Sequence, residues 1–362
     1  MFTKRQQLAL IMFTITILVT IQPSTIEGNS TINIQPHVSS SCTIFTATSG
    51  ERVLFGNNED YKSNNAYRWY IPAQNVSTTY FGIKEIYGSV FFGFDNNDNS
   101  ETDGWEQGGM NEYGLCYDAN GLPDIQLNLN PTAQFPYTTH ALAQVLWDCK
   151  TVVEVIDWFE NHKWSGYLGA QFHYADKTGD AVVVGVNSTG QWVFTRINDN
   201  FMVSTNFDLN DVTHGSYPCQ RYETATNMLR AVEYEEDLNI SYCADLLYNV
   251  HQKGVYSTKY SNICDPVNLE FYFNSGEDFS VQNKYNLTAI LADKSSYVQK
   301  DSFFGVEGVE EGVLVKTEKI DIIFETTTTT EKTEFNISYA ICFFTLLLFV
   351  KIFSFKGKRK NP

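Results

Sequence analysis

The chain has 362 residues, seven of them cysteines, and its 42 acidic against 25 basic side chains give a formal net charge of −17. This length is ample for one sizeable hydrophobic core. The acidic balance, without a basic stripe, argues against nucleic-acid binding, although it does not select a substrate.

Residues 1–28 have the pattern of a secretory signal peptide. Lys4 and Arg5 form a short basic region, and the apolar run 8–21 is shorter than a comfortable membrane span. An uncleaved N-terminal anchor is the alternative. The short polar segment that follows, residues 29–41, is predicted to be a propeptide.

Residues 42–320 are predicted to form one folded domain in which strands alternate with helical pairs. Short alternating runs such as "CTIFTAT" and "GSVFFGFD" predict strands at the start. Apolar residues at i, i+3, i+4 spacing then predict helices, and turn-bounded alternating runs predict hairpins between and after them. The helices are expected within 138–163, 221–233 and 243–252, and the hairpins within 170–206 and 256–273.

The C-terminal residues predict attachment to a membrane. A Thr-rich segment, 321–336, is typical of an exposed stalk, and residues 337–355 approach the length of a membrane helix. The basic tail, 356–362, marks the cytoplasmic side and argues against a glycolipid-anchor signal. The sequence therefore predicts a single-pass type I membrane protein of the secretory pathway, with an extracellular or lumenal domain.

N-x-[ST] acceptor sites occur at a density that fits an exported glycoprotein. Besides one in the segment before residue 42, at Asn29, the candidates for glycosylation are Asn75, Asn187, Asn239, Asn286 and Asn336.

The cysteines give no sign of a metal site. Cys342 lies in the predicted membrane helix, and no pair has C-x-x-C spacing, so neither a zinc site nor a thioredoxin-type motif is indicated. Cys219, Cys243 and Cys264 are close enough in sequence to contain a disulfide, whose pairing stays open. No cofactor is expected.

Four stretches carry chemistry-bearing residues in a recognisable order. Cys42 is followed by "FGNNEDY", then by "GGMNEYGLCYDANG", "VSTNFD" and "CQRYETA". Together they resemble the cholylglycine hydrolase and penicillin V acylase family of N-terminal-nucleophile (Ntn) amidohydrolases, whose relatives include isopenicillin N acyltransferase and acid ceramidase-like enzymes. The resemblance covers nearly all of residues 42–273. It implies an α+β fold, a four-layer αββα Ntn-hydrolase sandwich with largely antiparallel sheets, and hydrolysis of a linear, non-peptide amide.

Such enzymes use an N-terminal cysteine because one residue then supplies nucleophile and base. A free thiol, with a pKa of about 8.5, is mostly protonated at neutral pH. An α-amine with a pKa of roughly 7.7–8.0 can accept the thiol proton and later return it to the leaving amine. Cys42 is therefore expected to become the mature N-terminus when its thiol attacks the preceding carbonyl and the Ser41–Cys42 bond is cleaved.

The resemblance assigns the remaining catalytic roles residue by residue. Asp60 would orient the Cys42 amine, Asn120 and Asn206 would be the oxyanion and positioning asparagines, and Arg221 would lie near the nucleophile. Outside that context, a strand-end carboxylate, an Asn before Gly and a helix-start arginine are more often surface or turn residues.

Two further positions have an uncertain part in substrate binding or positioning. Asn57 stands where many relatives have an arginine in "G-R-N-x-D", which puts bile-salt or penicillin specificity in doubt. Glu112 belongs to "M-N-E-x-G-L", which is also consistent with a structural turn in which Gly114 adopts an unusual backbone angle.

Other candidate residues have a commoner structural role. Cys116 is a second thiol, but it lies in a predicted buried strand, where cysteine usually acts as a small hydrophobe. Aromatic residues on the strands are candidates for an acyl pocket, although core packing is their usual role. They are Trp69, Tyr70, Phe91, Phe92, Phe94 and Trp105.

Three rival functions compete with amide hydrolysis. The papain-type signature and G-x-S-x-G are both missing, which disfavours a cysteine peptidase and an α/β-type serine hydrolase. A catalytically inactive, membrane-tethered binding or receptor module stays open. The favoured interpretation is a self-processing amidohydrolase that acts on a small N-acyl amide through a Cys42 thioester, with the acyl group, the leaving amine and transfer to an acceptor amine all left open.

Overall fold

Seventeen strands and five α-helices form from the residues that the structure, a computed structural model, describes. All described residues belong to the unit Val38–Pro362. They are residues 42–78, 82–95, 105–129, 141–162, 164, 166–276, 278–279, 282–300 and 313–322.

A six-stranded sheet carries the N-terminal end of the domain. Its strand order is β12-β1-β2-β13-β14-β15, and every pairing between neighbours is antiparallel. β1 and β2 are neighbours because a tight hairpin at Gly50 joins them, and their other edges pair with β12 and β13 respectively. The strands are β1 (Thr43–Ser49), β2 (Arg52–Asp60), β12 (Phe201–Ser204), β13 (Thr258–Asp265), β14 (Glu270–Ser275) and β15 (Asn283–Asn286).

A nine-stranded sheet forms the second β layer, in the order β11-β10-β9-β8-β7-β6-β3-β17-β16. Its strands are β3 (Ala66–Ile71), β6 (Ser89–Phe94), β7 (Trp105–Asn111), β8 (Cys116–Gln126), β9 (Tyr167–Ala175), β10 (Ala181–Val186), β11 (Trp192–Arg196), β16 (Val298–Lys300) and β17 (Val313–Ile320). A separate hairpin pairs β4 (Gln74–Thr78) with β5 (Gly82–Ile86).

The helices form where apolar residues recur at helical spacing. Three begin at side-chain caps. Thr151 accepts a hydrogen bond from the Glu154 N–H, Asn239 accepts one from the Tyr242 N–H, and Asn286 accepts one from the Ala289 N–H. The helices are α1 (Ala141–Asp148), α2 (Val152–Asn161), α3 (Gln220–Arg230), α4 (Ile240–Val250) and α5 (Leu287–Ala292), with a 3₁₀ turn at Lys294–Ser296.

Three buried clusters define the layers. One joins α1 and α2 to the outer face of the nine-stranded sheet, for example through Leu146 and Phe159. A second lies between the two sheets and includes Ile44 and Cys116. The third joins α3 and α4 to the outer face of the six-stranded sheet. This α/β/β/α arrangement with antiparallel sheets confirms the predicted fold class.

The sequence patterns predicted four of the five helices but not the elements at the end of the domain. The segment 138–163 does contain two helices, and α3 and α4 lie where helices were expected. The N-terminus of α4 is three residues earlier than the predicted segment because Asn239 caps it. Strands β15 to β17 and helix α5 were not predicted.

Several sequence predictions fall outside the described residues. These are the signal peptide and propeptide, the residues of the stalk after 322, the membrane helix and the basic tail. Within the described ranges, no helix is both long and apolar enough to span a membrane.

Candidate active site around Cys42

The β1–β2 hairpin places Cys42 beside an acidic side chain. Its register pairs Ser49 with Arg52 and Thr43 with Asn58, so one more step brings Cys42 opposite Glu59. Side chains alternate between the faces of a strand, and Ile44 faces the second sheet. The Cys42 side chain therefore lies on the face of β1 that is turned toward the second sheet, and it is fully buried.

The Cys42 thiol donates a hydrogen bond to Glu59. The distance from Sγ to Oε1 of Glu59 is 3.4 Å, and Asn57 Nδ2 lies 3.4 Å from the second oxygen of the same carboxyl. Burial raises the pKa of the thiol well above its usual range, and the carboxyls of Glu59, Asp60 and Asp118 add to that increase. The backbone N–H of Asp60 acts in the opposite direction, because it stabilises the thiolate.

Two side chains hold the main chain of Cys42 through its carbonyl oxygen. Arg221 Nη1 donates to this oxygen at 2.8 Å, and Asn120 Nδ2 donates to it at 3.2 Å. Arg221 Nη1 also donates to Thr43 Oγ1 at 2.8 Å. Cys42, the predicted nucleophile, is thus fixed both at its side chain and at its backbone.

Asp60 is a buried carboxyl on the opposite face of β2 from Glu59. Its two oxygens accept hydrogen bonds from the Thr258 hydroxyl, at 2.5 Å, and from Gln252 Nε2, at 2.7 Å, and Arg221 Nη1 lies 3.8 Å from Oδ2. Burial raises the pKa of Asp60 to about 7, while Arg221 and these hydrogen bonds hold it down. The exposed strand-end alternative is therefore wrong, because Asp60 has no solvent-accessible surface.

Asn206 connects the arginine to the nine-stranded sheet. Its Oδ1 accepts a hydrogen bond from Arg221 Nη2 at 2.8 Å, and its Nδ2 donates to the Gly121 carbonyl at 3.0 Å. Asn206 follows β12, and Arg221 is the second residue of α3, so two separate elements converge on Cys42. In this arrangement the contacts of Asn206 orient Arg221.

The space between the sheets next to Cys42 is lined by polar groups. On β8, Cys116, Asp118 and Asn120 alternate toward the six-stranded sheet, and Tyr260 and Asn262 on β13 pair with Glu59 and Asn57. Several of their oxygens are buried without a hydrogen-bond partner among the described residues, which is typical of a site that holds water or a ligand. They are Asn57 Oδ1, Asp118 Oδ2, Asn120 Oδ1, Tyr260 Oη and Asn262 Oδ1.

A cavity of about 510 Å³ opens on the helix side of this site. Arg221 and Gln252 line it, and both also contact Asp60. Ser216, Pro218, His251 and Lys253 are further lining residues. A small molecule in this cavity would lie against the side chains that hold Cys42 and Asp60.

With this geometry described, comparison with solved structures identifies the fold. The chain is similar to two variants of the conjugated bile acid hydrolase from Clostridium perfringens. The first variant has a TM-score of 0.54 and 15% identity, and the match covers 79% of this chain and 100% of the other. The second variant has a TM-score of 0.53 and 15% identity, and the match covers 78% of this chain and 97% of the other. The penicillin V acylase from Agrobacterium tumefaciens has a TM-score of 0.53 and 17% identity, covering 71% and 90%. The chain has the Ntn-hydrolase fold.

Sequence comparison alone does not find this similarity. No family model matches the chain. A search of the curated proteins finds no relative either. The order of the motifs around Cys42 was therefore the informative signal, and the structural neighbours confirm the fold that it implied.

Within this Ntn-hydrolase fold, the five predicted catalytic residues lie together. Cys42, Asp60, Asn120, Asn206 and Arg221 are joined by the direct contacts given above. Their catalytic roles stay predictions, since the contacts describe position and not turnover.

Glu112 and Asn57 have different surroundings. Glu112 accepts a hydrogen bond from the Gly88 N–H at 2.8 Å and donates its own N–H to the Gly88 carbonyl, which makes it part of a turn rather than of the Cys42 site. The same turn uses Gly114 at φ +83°, where a Cβ would lie 2.4 Å from the Pro266 oxygen. Asn57 is buried beside Glu59 and therefore close to the thiol.

The remaining candidates are core residues or stay untested. Cys116 and the aromatics Trp69, Tyr70, Phe91, Phe92 and Phe94 are fully or almost fully buried in the two clusters that flank the nine-stranded sheet, as their structural alternative predicts. The side chain of Trp105 lies outside the described part. Cys219, Cys243 and Cys264 are each free thiols, so the structure holds no disulfide among them. Of the sequons, Asn75 and Asn286 are exposed, Asn187 and Asn239 are half-buried, and Asn336 lies outside the described residues.

Sequence reasoning missed Glu59, Thr258 and Gln252. Glu59 was accessible in principle, because a two-residue turn at Gly50–Glu51 fixes the hairpin register and pairs it with Cys42. Thr258 and Gln252 carry no such signal, since nearly 200 residues separate them from Asp60. No group of three or more His, Cys, Asp or Glu side chains in the described part is arranged to hold a metal ion.

Proposed function

We propose that this protein is an N-terminal-cysteine amidohydrolase that cleaves a linear, non-peptide amide bond of a small N-acyl compound. The observation that carries the proposal is that Arg221 and Asn120 both donate to the Cys42 carbonyl oxygen, and Arg221 also pairs with Asp60, within an Ntn-hydrolase fold. The similar solved structures are those of a bile acid hydrolase and a penicillin acylase, which supports amide hydrolysis as the reaction class.

The chemical steps follow from the positions of these groups. The Cys42 thiolate attacks the amide carbonyl of the substrate, and the α-amine of a processed Cys42 holds the thiol proton. That proton passes to the leaving amine as the C–N bond breaks and a thioester forms on Cys42. Water then hydrolyses the thioester and regenerates the thiol. Cationic and amide donors beside the nucleophile, such as Arg221 and Asn120, are suited to stabilise the oxyanion.

The polar surroundings of Cys42 favour a substrate other than a bile salt or a penicillin. Asn57 replaces the arginine found in many relatives, and buried carboxyls surround the thiol. An anionic group of a substrate close to Cys42 Sγ would be repelled by the carboxyls of Glu59 and Asp118, with no arginine at position 57 to attract it. We also propose that the protein acts in the secretory pathway, where the predicted C-terminal helix would tether it to a membrane.

N-terminal sequencing tests the proposal first, with wild type and Cys42→Ala expressed side by side as full chains. Wild type is expected to begin at Cys42, while the variant keeps its upstream residues. Incubation of processed protein with N-acyl amides should then give an acyl thioester on Cys42, detectable by mass spectrometry after acid quenching. A wild-type chain that keeps its upstream residues, and forms no thioester with any amide tested, would favour the inactive binding module instead.

A further inference from the structure

Before processing, the proposed enzyme lacks the base that it later uses. In the intact chain the nitrogen of Cys42 belongs to a peptide bond, so it cannot accept a proton. Burial and neighbouring carboxyls also raise the pKa of the thiol, so few thiolates form spontaneously. Self-cleavage of the Ser41–Cys42 bond therefore needs another group to remove the thiol proton.

The structure provides such a group in contact with the thiol. Glu59 Oε1 accepts the hydrogen bond from Cys42 Sγ at 3.4 Å, while the Asp60 carboxyl is occupied by Thr258 and Gln252 on the other face of β2. The hairpin register fixes this pairing, because Glu59 and Cys42 lie directly opposite on adjacent strands. Glu59 occupies the variable position of the "G-x-N-x-D" pattern, between Asn58 and Asp60.

We propose that Glu59 is the catalytic base for self-cleavage of the precursor, a role that the α-amine of Cys42 takes over after cleavage. This inference rests on the proposed function. The Glu59 carboxylate takes the proton from Sγ, and the thiolate attacks the carbonyl carbon of residue 41, forming a C–S bond. The C–N bond to Cys42 breaks as the protonated Glu59 gives its proton to that nitrogen, which becomes the free amine. Water then hydrolyses the thioester, leaving a carboxylate on residue 41 and a thiol on Cys42.

The environment of Glu59 sets the pH at which this base is available. Burial, followed by the nearby Asp60 carboxyl, raises the pKa of Glu59 to about 8, and the hydrogen bonds from Cys42 and Asn57 oppose the increase. Other ionisable groups around it are Asp118 and Tyr117 on β8 and Tyr260 on β13, and the cations Arg221 and Lys259 act on the neighbouring Asp60. A carboxyl with this pKa is a stronger base than an exposed glutamate, but only its ionised fraction can act.

The test follows self-cleavage of the full chain by intact-mass spectrometry. Glu59→Gln keeps an oxygen that can accept the thiol hydrogen bond but cannot take the proton. Glu112→Gln is the matched control, since it makes the same change in a carboxyl that accepts a hydrogen bond from the Gly88 N–H, in a turn outside the Cys42 site. General bases typically contribute about 10²–10⁴-fold. We expect Glu59→Gln to slow cleavage at least 100-fold and Glu112→Gln to change it less than threefold.

A second arm separates self-cleavage from turnover. Residues 36–41 are replaced, in the full chain, by a recognition sequence for a protease that cuts directly before Cys42. Glu59→Gln released in this way is expected to hydrolyse an N-acyl amide within about tenfold of wild type released identically, since the amine now serves as base. Far-ultraviolet circular dichroism and urea unfolding verify that the variant is folded.

Each outcome distinguishes the two proposals. Wild-type cleavage should rise about tenfold per pH unit up to about pH 8, following ionisation of Glu59. Three results would each overturn the role of Glu59 and leave the proposed function standing. They are self-cleavage of Glu59→Gln at the wild-type rate, loss of amide hydrolysis in the released Glu59→Gln protein, and a wild-type cleavage rate that does not change with pH. Released wild type that hydrolyses no amide would instead overturn the proposed function.

Discussion

Replacing Asp60 with asparagine is expected to stabilise the fold at alkaline pH while strongly lowering activity. Burial raises the pKa of this carboxyl from 3.8 to about 7. The folded state therefore binds the proton more tightly than the unfolded chain. The stabilisation is fully present below about pH 4 and is lost as the pH rises through about 7. Asparagine cannot ionise, so it removes this pH-dependent loss.

The size of the effect follows from the pKa difference. About three pH units at about 1.4 kcal/mol each give on the order of 4 kcal/mol for ionising the buried Asp60. The ion pair with Arg221 is already included in this pKa. Compared with the protonated carboxyl, asparagine loses one acceptor oxygen, which subtracts about 1–2 kcal/mol. The net gain in unfolding free energy should be about 2–3 kcal/mol at pH 8 and close to zero at pH 5.

Urea unfolding of full chains measures this difference. Both proteins carry Cys42→Ala, so neither is processed, and Asp60→Asn is the single difference between them. Asp176→Asn is the matched control: its buried carboxyl accepts hydrogen bonds from the N–H groups of Val152 and Thr178, which an amide cannot fully replace, so it should lower stability at both pH values. A gain for Asp60→Asn that is equal at pH 5 and pH 8, or a loss at pH 8, would refute the reasoning. With Cys42 restored, Asp60→Asn should lower amide hydrolysis by on the order of 10²-fold or more, because Asp60 is the predicted orienting partner of the Cys42 amine.

Three further substitutions test other parts of the site and fold. Arg221→Met removes the donor that lies 2.8 Å from the Cys42 carbonyl oxygen, so it should lower kcat/KM by about 10²–10³-fold. If Arg221→Met lost less kcat/KM than Arg221→Lys, a role for the guanidinium would be contradicted. Cys116→Ala should retain amide hydrolysis and lower the unfolding free energy by on the order of 1 kcal/mol, since the buried thiol packs between the sheets. If the variant formed no acyl thioester, Cys116 would again be a candidate nucleophile. Asn239→Ala should lower unfolding free energy by about 1 kcal/mol in urea titrations, because it removes the cap of α4, and Asn239→Ser should recover most of that loss.

The local patterns of the chain predict its elements where one face is buried. The alternation in residues 42–60 and the helical spacing in 138–163 specify β1, β2, α1 and α2, because these segments bury one face against a neighbour. Helix α5 and strand β15 carry weaker patterns, and their packing depends on partners that are distant in sequence. This is why the end of the domain was not predicted.

The sequence by itself predicted the residues around Cys42, and it specifies the Cys42–Glu59 pairing. The motif order pointed to Cys42, Asp60, Asn120, Asn206 and Arg221, which lie together in the structure, and hairpin geometry depends only on the residues between two strands.

The tertiary structure decided the pKa values of Cys42 and of the carboxyls around it. Thr258 and Gln252 reach Asp60 from segments nearly 200 residues away, and the approach of the two sheets buries Glu59, Asp118 and Cys42 together. Desolvation depends on every atom that excludes water from a group, and only the packed chain specifies those atoms. A short pattern can therefore indicate which residues react, whereas the complete fold sets their pKa values.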